Sequence, residues 1–229
     1  MGLLEAITFF KMNYNKKIAK ISRWDAENIF YLKSDHKRIS KFIAQYEIFN
    51  KIKKIPGDIV ECGVFRGVSL SRFLNFTKIF SVKKKVFGFD AFGNFPLGER
   101  IDDKKFSFKH DKKIGLGINE RSLEKILKKK NHFNFKLIKG NIMHTLPRFL
   151  KKNKIKISLL HLDLDVFTAT KFALEKLYPL ISKNGIILID DYKHIPNTTK
   201  AVNIFLKSKK KLKISKLDFP NRPSFIIKK

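Results

Sequence analysis

The segment KISLLHLDLDVFTATKFALEKLYPLISKNGIILIDD (residues 156–191) contains two apolar runs, and each run ends in acidic residues. The runs ISLLHL and GIILI are typical of buried parallel strands, and a helical pattern near 168–182 lies between them. Strand, helix and strand in this order predict one crossover unit of a parallel sheet.

The same alternation extends outward along the chain. Three more apolar runs, DIVECG, KVFGFD and FKLIKG, precede helical patterns near 67–77, 119–130 and 143–151, and a last helical pattern lies near 197–207. The tail offers two strands, KLKISKL and RPSFIIKK, without a helix between them, which predicts a terminal hairpin. We therefore expect an α/β fold with a doubly wound, mostly parallel seven-stranded sheet that has one antiparallel member.

The amino-terminal part of the chain has a different pattern. Helical periodicity runs through residues 1–33, and Asp35 is a candidate N-cap for a second helix that reaches about Lys53. We interpret residues 1–54 as an N-terminal helical cap and residues 55–229 as the main domain.

Cysteine usage and apolar segments bear on the compartment. The single cysteine, Cys62, gives no disulfide or zinc cluster and fits a reducing compartment, so we expect a cytoplasmic protein. The opening GLLEAITFF is short and interrupted by Glu5, so it resembles neither a signal peptide nor a membrane span. We expect it to pack on the body or on a second subunit of a homo-oligomer.

The charge of +30 raises the question of nucleic-acid binding, because a basic surface attracts phosphate. The basic residues are 42 lysines and 8 arginines, and the lysines are scattered through loops and helix faces. Arginine is the better bidentate ligand for phosphate, and no aromatic recognition motif accompanies the lysines. A solvated surface is therefore the favoured interpretation, and no specific nucleic-acid partner is expected.

Four aspartates follow the two strands of the first segment: Asp163 and Asp165 after the first, Asp190 and Asp191 after the second. The carboxyl ends of parallel strands meet at one edge of a sheet, where open α/β folds bind ligands. Carboxylates this close need a cation to stay ionised, and oxygen ligands suit a hard ion such as magnesium. The alternative, that Asp165 and Asp191 are helix caps or turn formers, explains single residues better than two groups on successive strands.

The loops after the other strands suggest a nucleoside-bearing cofactor. Glu61 ends the first strand, and Gly63 and Gly67 follow in a strand-to-helix turn where glycine would let a ligand approach the backbone. The turn is neither the GxGxxG of nicotinamide enzymes nor a phosphate loop. Asp90 ends the second strand, where an acid commonly holds ribose hydroxyls. Asn141 ends the third strand and suits either an adenine edge or a local turn.

Taken together, these stretches resemble the class I S-adenosylmethionine-dependent methyltransferases, and within them the macrocin O-methyltransferase (TylF-like) family, which methylates sugar hydroxyls. The resemblance covers residues 35–195, and its most specific part is the pair of aspartate blocks. The stretches that carry it are GDIVECGVFRGVSL (57–70), GFDAFGNFP (88–96), IKGNIMHTLP (138–147), HLDLDVFTATKFALEKLYPLISKNGIILIDDY (161–192) and, less firmly, FIAQYEIFNKIKKIPG (42–57).

The resemblance implies a role for each candidate residue. For the cofactor, S-adenosylmethionine, it implies the methionine end beside Glu61, Gly63 and Gly67, a supporting contact from Ser69, ribose binding by Asp90, an adenine contact from Asn141 in place of an expected aspartate, and Asp163 near the amino group. For magnesium it implies Asp165, Asp190 and Asp191, with Asp163 behind them on the cofactor side. It also implies that residues 92–118 form a substrate loop or lid.

Methyl transfer from a sulfonium needs an acceptor oxygen in line with the methyl carbon and a base for its proton. A magnesium ion bound to two neighbouring hydroxyls would orient them and lower the pKa of the one that reacts. Asp165 would be both ligand and proton acceptor, and His110 and His194 are alternative bases. We therefore predict a magnesium-dependent O-methyltransferase whose small-molecule substrate is a sugar or nucleotide-sugar diol.

Two other functions remain open at this stage. A catechol-type O-methyltransferase would share the metal chemistry and would need an aromatic clamp, for which Phe92, Phe95 and Phe106 are candidates. An RNA-modifying or nucleic-acid-binding protein is the third possibility, although the proline pair of base-methylating enzymes is absent after the relevant Asp or Asn.

Overall fold

The computed structural model describes residues 21–96, 100–209, 211–218 and 223–229. These parts contain eight α-helices, one 3₁₀ turn and seven strands. The helices are α1 (Arg23–Lys33), α2 (His36–Ile52), α3 (Val68–Ile79), α4 (Ile101–Lys113), α5 (Glu120–Lys129), α6 (Ile142–Lys152), α7 (Phe167–Leu177) and α8 (Pro196–Ser208). The strands are β1 (Asp58–Cys62), β2 (Val86–Asp90), β3 (Phe135–Lys139), β4 (Ile157–Leu162), β5 (Ile181–Ile189), β6 (Ile214–Ser215) and β7 (Ser224–Ile227).

The seven strands form one sheet in the order β3-β2-β1-β4-β5-β7-β6. Strands β1 to β5 pair in parallel, whereas β7 pairs antiparallel with both β5 and β6. The predicted α/β fold with one antiparallel member is therefore confirmed. Because the chain runs outward from β1 to β3 and then returns to β4, the carboxyl ends of β1 and β4 flank the switch point where such sheets bind ligands.

Helices cover both faces of the sheet, as the doubly wound prediction requires. Val60 and Cys62 of β1 face a core that contains α6, α7 and α8, whereas Ile59 faces a second core that contains α2, α3 and α5. This division follows from the alternation of side chains along a strand.

The second amino-terminal helix belongs to this packing. Asp35 accepts a hydrogen bond from the Arg38 N–H at 3.0 Å, which confirms the predicted N-cap. Ile48, Phe49 and Ile52 of α2 are fully buried against the sheet. In contrast, α1 buries none of its residues. The prediction for residues 1–20 lies outside the described residues, and the boundary at residue 54 stays a prediction.

One predicted boundary is wrong. The helix predicted to reach residue 182 ends at Leu177, a 3₁₀ turn follows, and β5 already begins at Ile181, which pairs with Ile157. The segment 92–118, predicted to form a substrate loop or lid, contains a 13-residue helix, α4, and its role stays a prediction. Among the described helices, none has the length and apolar composition to cross a membrane.

Candidate functional site

A cavity of about 550 Å³ lies at the carboxyl edge of the sheet, beside the switch point. Loops after β1 to β5 form its floor, α2 closes one side, and the segment that contains α4 covers it. Of the predicted site residues, those that line the cavity are Gly63, Asp90, His110, Asn141, Asp163, Asp165, Asp190 and Asp191. The sheet therefore brings together residues from distant parts of the chain, since Gly63 and Asp191 are 128 positions apart.

Three carboxylates form a cluster on this floor. Asp163, Asp165 and Asp191 each offer an oxygen, and these oxygens lie within 4.8 Å of one another. Asp165 has a φ of +62°, a backbone conformation that is uncommon for a residue with a side chain. Such strain is often found at functional sites, where the surrounding structure imposes it.

Lys41 of α2 places a positive charge against the same floor. Its ammonium lies 2.5 Å from Asp190 Oδ2 and 3.8 Å from Asp163 Oδ2. Burial lowers the pKa of Lys41, but the carboxylates of Asp163 and Asp190 outweigh burial and raise it above its usual value. Lys41 is therefore a charged, built-in counterion.

The pKa of Asp163 is raised well above its usual value. Burial is the largest cause and the negative charge of Asp190 the next, while Lys41 acts in the opposite direction. A carboxyl whose pKa is raised by burial and by a neighbouring carboxylate is stabilised in its ionised form by a nearby cation.

The grouping of acids differs from the predicted magnesium set. Asp163 belongs to the cluster with Asp165 and Asp191 instead of lying behind it, whereas Asp190 is held by Lys41 and groups with Asp163 and His161. The ammonium of Lys41 contacts Asp190 Oδ2 at 2.5 Å, and the magnesium set of Asp165, Asp190 and Asp191 stays a prediction.

The residues present fit a hard divalent ion. The cluster offers only carboxylate oxygens, the donor type that magnesium prefers. In addition, Asp190 Oδ1 is buried and makes no hydrogen bond to any part of the chain that the structure describes. A buried acceptor without a partner is costly, and a ligand at the site would satisfy it.

Asp90 is fixed at the other end of the cavity. Its Oδ2 accepts hydrogen bonds from the N–H groups of Val64 and Phe65 at 2.8 and 2.9 Å, and its Oδ1 accepts one from Phe92 at 2.6 Å. These bonds orient the carboxylate and use both acceptor sites of Oδ2, so Oδ1 retains capacity for a further donor.

Position 63 requires a glycine because neighbouring backbone lies very close to it. Its φ is +91°, and a Cβ at this position would lie 1.9 Å from the carbonyl oxygen of Asp163. The sequence suggested that a ligand would approach the backbone at Gly63. In the structure, the backbone of the loop after β4 makes this close approach.

Glu61, Gly67 and Ser69 lie outside the residues that line the cavity. Glu61 is fully buried, where it accepts a hydrogen bond from the Ser69 hydroxyl and lies 3.1 Å from Nδ1 of His161. Gly67 is the N-cap of α3, and a Cβ there would lie 2.5 Å from Cδ1 of Leu123. These residues support the floor from below, and their role in cofactor binding stays a prediction.

Asn141 makes the local backbone contact that the sequence offered as an alternative to an adenine contact, and it also lines the cavity. Its Oδ1 caps α6 by accepting a hydrogen bond from the Met143 N–H at 3.0 Å. An adenine contact would therefore use the amide nitrogen of Asn141 or share this oxygen.

The segment over the cavity, which we call the lid (described residues 93–96 and 100–117), is closed at its neck by a hydrogen bond from the Gly117 N–H to the Gly93 carbonyl at 3.0 Å. Phe95 and Phe106 line the cavity, and their rings contact the ring of His110. Phe92, the third predicted clamp residue, is instead buried in the core.

The two candidate histidines differ in position. His110 lines the cavity, and burial lowers the pKa of its imidazole against the opposing effect of Asp111, so it is neutral at neutral pH. His194 is exposed and does not line the cavity, which leaves it without a place in this site.

Sequence reasoning missed Lys41, because a lysine on an amphipathic helix normally marks the solvated face. It also missed Asp103 of α4, which is fully buried. The one available signal for Asp103 was its position in the first turn of a charged segment, and this signal is weak without the helix.

A family model described as macrocin-O-methyltransferase (TylF) matches residues 15–219. A curated relative, demethyldecarbamoylnovobiocin O-methyltransferase of Streptomyces niveus, is 27% identical over 158 residues, which are 65% of this chain and 58% of that protein. The match therefore spans little more than half the length of that relative.

Solved structures share the fold. The O-methyltransferase NovP has a TM-score of 0.73 at 22% identity, over 83% of this chain and 80% of that one. CalS11, a calicheamicin methyltransferase, has a TM-score of 0.75 at 20% identity, over 99% and 93% of the two chains. An O-methyltransferase from Bacillus cereus in complex with SAH has a TM-score of 0.56 at 10% identity, over 99% and 100%. At these identities the likeness confirms the methyltransferase fold.

Proposed function

The chain belongs to the macrocin O-methyltransferase (TylF) family, and from this premise we propose that it transfers a methyl group from S-adenosylmethionine to a hydroxyl of a sugar or nucleotide-sugar diol. The observation that carries the proposal is one cavity with the Asp90 loop at one end and the cluster of Asp163, Asp165 and Asp191 at the other. The relatives support the acceptor class, since CalS11 is described as a TDP-rhamnose 3'-O-methyltransferase.

The cofactor would lie across the switch point. Asp90 is oriented by three backbone N–H groups, so its Oδ1 can accept a hydrogen bond from a ribose hydroxyl without a change of rotamer. Asn141 and the neighbouring Ile142 and Met143 line the side of the cavity where the base would lie. Gly63 borders the passage from there to Asp163.

The carboxylates at the other end would hold magnesium. Asp163, Asp165 and Asp191 are close enough to share one ion, and Asp190 is an alternative to Asp163 if the ion displaces the ammonium of Lys41. When bound, the ion would hold two neighbouring hydroxyls and lower the pKa of the one that reacts.

The transfer itself breaks the sulfur–methyl bond and forms an oxygen–methyl bond, while the acceptor proton moves to a base. Asp165 is the proposed base because it belongs to the cluster that would orient the hydroxyls. His110, neutral and on the lid above the cavity, is the second candidate. The lid would exclude water from the reacting groups. Water that entered would solvate the attacking oxygen and slow the transfer.

A catechol-type acceptor is the second candidate function. The observation that favours it is the pair of rings, Phe95 and Phe106, which line the cavity and contact each other at 5.7 Å between centroids. An aromatic acceptor could stack on them, whereas apolar rings also pack against the carbon face of a sugar.

We also propose a cytoplasmic homo-oligomer. Cys62 is a free, buried thiol whose pKa is raised by burial, so it suits a reducing compartment. Trp24 and Leu32 of α1 are 77% and 83% exposed, and a second subunit would cover apolar side chains of this size.

Methyl transfer from labelled S-adenosylmethionine to a panel of acceptors tests the function. The panel contains TDP-rhamnose, a catechol and an RNA transcript, each with magnesium and with excess chelator, and the products are analysed by mass spectrometry. We expect one added methyl group on the nucleotide sugar, and none in chelator. Methylation of the catechol alone would favour the second candidate, and methylation of RNA would overturn both.

A further inference from the structure

Helix α4 of the lid buries a carboxylate, Asp103, that does not line the cavity. Its Oδ1 accepts hydrogen bonds from the Phe167 N–H at 2.8 Å and from Asn197 Nδ2 at 3.1 Å. Its Oδ2 accepts hydrogen bonds from the Thr168 N–H at 3.1 Å and from the Thr168 hydroxyl at 2.8 Å. Four donors therefore satisfy a fully buried acid, as burial demands.

All four donors are neutral groups, and two of them are the first N–H groups of α7. The residue before α7, Val166, offers no side-chain cap. The amino end of a helix stabilises negative charge and needs acceptors for its free N–H groups. Asp103 of the lid thus caps the amino end of α7, although it precedes Phe167 by 64 residues in the chain.

The bonds of Asp103 join three segments that meet at the site. Phe167 directly follows the loop 163–166, which carries two of the clustered carboxylates. Asn197 is the second residue of α8 and follows the turn 190–195, which carries the third carboxylate and the partner of Lys41. A change at Asp103 would therefore reach both loops and the lid together.

The lid is itself tied into one unit, so fixing α4 fixes its aromatic face. The hydroxyl of Ser107, which is 2% exposed, donates to the Pro96 carbonyl at 2.8 Å. The Phe95 N–H donates to both oxygens of Asp111 at 3.0 Å. The rings of Phe95 and His110, 4.9 Å apart, consequently move with α4.

We infer that Asp103 is a positioning residue, which holds the lid at a fixed height over the carboxylate cluster and thereby sets the space for the acceptor. The inference rests on the proposed function only for the nature of the acceptor. The linkage between lid and loops is a property of the fold, and it can be tested without methyl transfer.

The experiment compares Asp103→Asn with Asp102→Asn in the full chain. Asn keeps the shape but turns an NH₂ group toward the donors of α7, whereas the side chain of Asp102 is 64% exposed on the same helix and serves as the matched control. Hydrogen exchange is followed by mass spectrometry, and the pKa of His110 is followed by NMR, with His110→Gln to assign its signal.

For Asp103→Asn we expect exchange in α4 and in the first turn of α7 to rise about tenfold or more, while β1 and β4 keep their protection. The pKa of His110 should rise toward its usual value, because a loosened lid exposes the imidazole. Asp102→Asn should match the wild type. Binding of S-adenosylhomocysteine should survive in both variants, because the four hydrogen bonds of the Asp103 side chain lead to α7 and α8 and not to the Asp90 loop.

A second pair keeps the test decisive if Asp103→Asn does not fold. Thr168→Val removes one donor and should raise exchange in α4, whereas Thr168→Ser keeps the hydroxyl and should restore wild-type exchange. The inference is overturned if Asp103→Asn leaves α4 and His110 unchanged, or if exchange rises equally in the core strands. It is also overturned if the Val and Ser variants behave alike. Failure of the wild type to bind S-adenosylhomocysteine would instead count against the proposed function.

Discussion

Asp191 and its neighbours show how far single residues could be identified from the sequence. Acids that directly follow apolar strands are visible in a one-dimensional pattern, so Asp163, Asp165, Asp190 and Asp191 could all be named in advance. Their grouping could not, because it depends on Lys41, which lies 122 residues before Asp163 in the chain. Pairing between distant charges is a property of the fold and leaves no local pattern.

Replacing Asp191 by Asn tests the carboxylate cluster. The change keeps the shape and removes one charge, so methyl transfer should fall by roughly 100-fold or more, since a bound metal ion contributes several kcal/mol to the transition state. Binding of S-adenosylmethionine should be retained, because the Asp90 end of the cavity is unchanged. Wild-type turnover should vanish in chelator and return with magnesium. Full turnover in excess chelator would remove the metal from the mechanism.

His110 predicts a pH dependence of stability. Its pKa is lowered from 6.5 in the folded state, so below about pH 6.5 the unfolded chain binds more protons and the free energy of unfolding falls. His110→Gln should make this fall shallower, as measured by denaturant unfolding between about pH 5 and 8. His132, whose pKa is also lowered by burial, should leave a residual slope. An equal effect from the exposed His194→Gln would rule out His110 as the cause.

At the scale of elements, hydrophobic patterning explains which helices were predicted. Helix α6 has a strong apolar stripe and was recognised within a residue or two at each end. Helix α4 was missed because its two buried residues, Asp103 and Ser107, are polar. A helix that is held by hydrogen bonds instead of apolar contacts gives no periodic signal. The early start of β5 was not predicted because a 3₁₀ turn, Tyr178–Leu180, follows α7 and continues its apolar periodicity up to β5.

Helix α2 contributes Lys41 to the site, which predicts an effect on metal affinity. Lys41→Met removes the positive charge beside Asp163 and Asp190, so an added divalent ion should bind more tightly. We expect roughly tenfold higher affinity, which corresponds to a binding free energy that is more favourable by about 1.4 kcal/mol. Titration with Mn²⁺ followed by electron paramagnetic resonance measures this, because manganese accepts the same oxygen ligands. Lys37→Met, an exposed lysine of the same helix, is the matched control. Weaker binding in Lys41→Met would show that the lysine supports the ion instead of competing with it.

At the scale of the whole molecule, the topology was predictable because each strand and helix of the crossover units has its own period. The order β3-β2-β1-β4-β5 follows once right-handed crossovers and a reversal after β3 are assumed. The closure of the cavity was not predictable, because it depends on how α2 and the lid lie over the carboxyl edge. The positions of Lys41 and Asp103 are decided at this level.

The net charge of +30 belongs to the molecule as a whole. If the lysines form a solvated surface, binding to duplex and single-stranded oligonucleotides should be weak and should vanish near physiological salt. Fluorescence anisotropy at several salt concentrations measures this. Tight, sequence-selective binding that resists salt would make an RNA-modifying activity the better account.

Calorimetric titration with S-adenosylhomocysteine tests the central claim most directly, because it needs no knowledge of the acceptor. We predict that the wild type binds this product and S-adenosylmethionine, and that Asp90→Ala weakens binding by roughly 1–3 kcal/mol, the cost of unpaired polar groups. Asp102→Asn changes an exposed acid that does not line the cavity, so this variant should bind like the wild type. Absence of heat with both ligands, together with binding of NAD, would contradict the assignment of the cavity to a methyl donor.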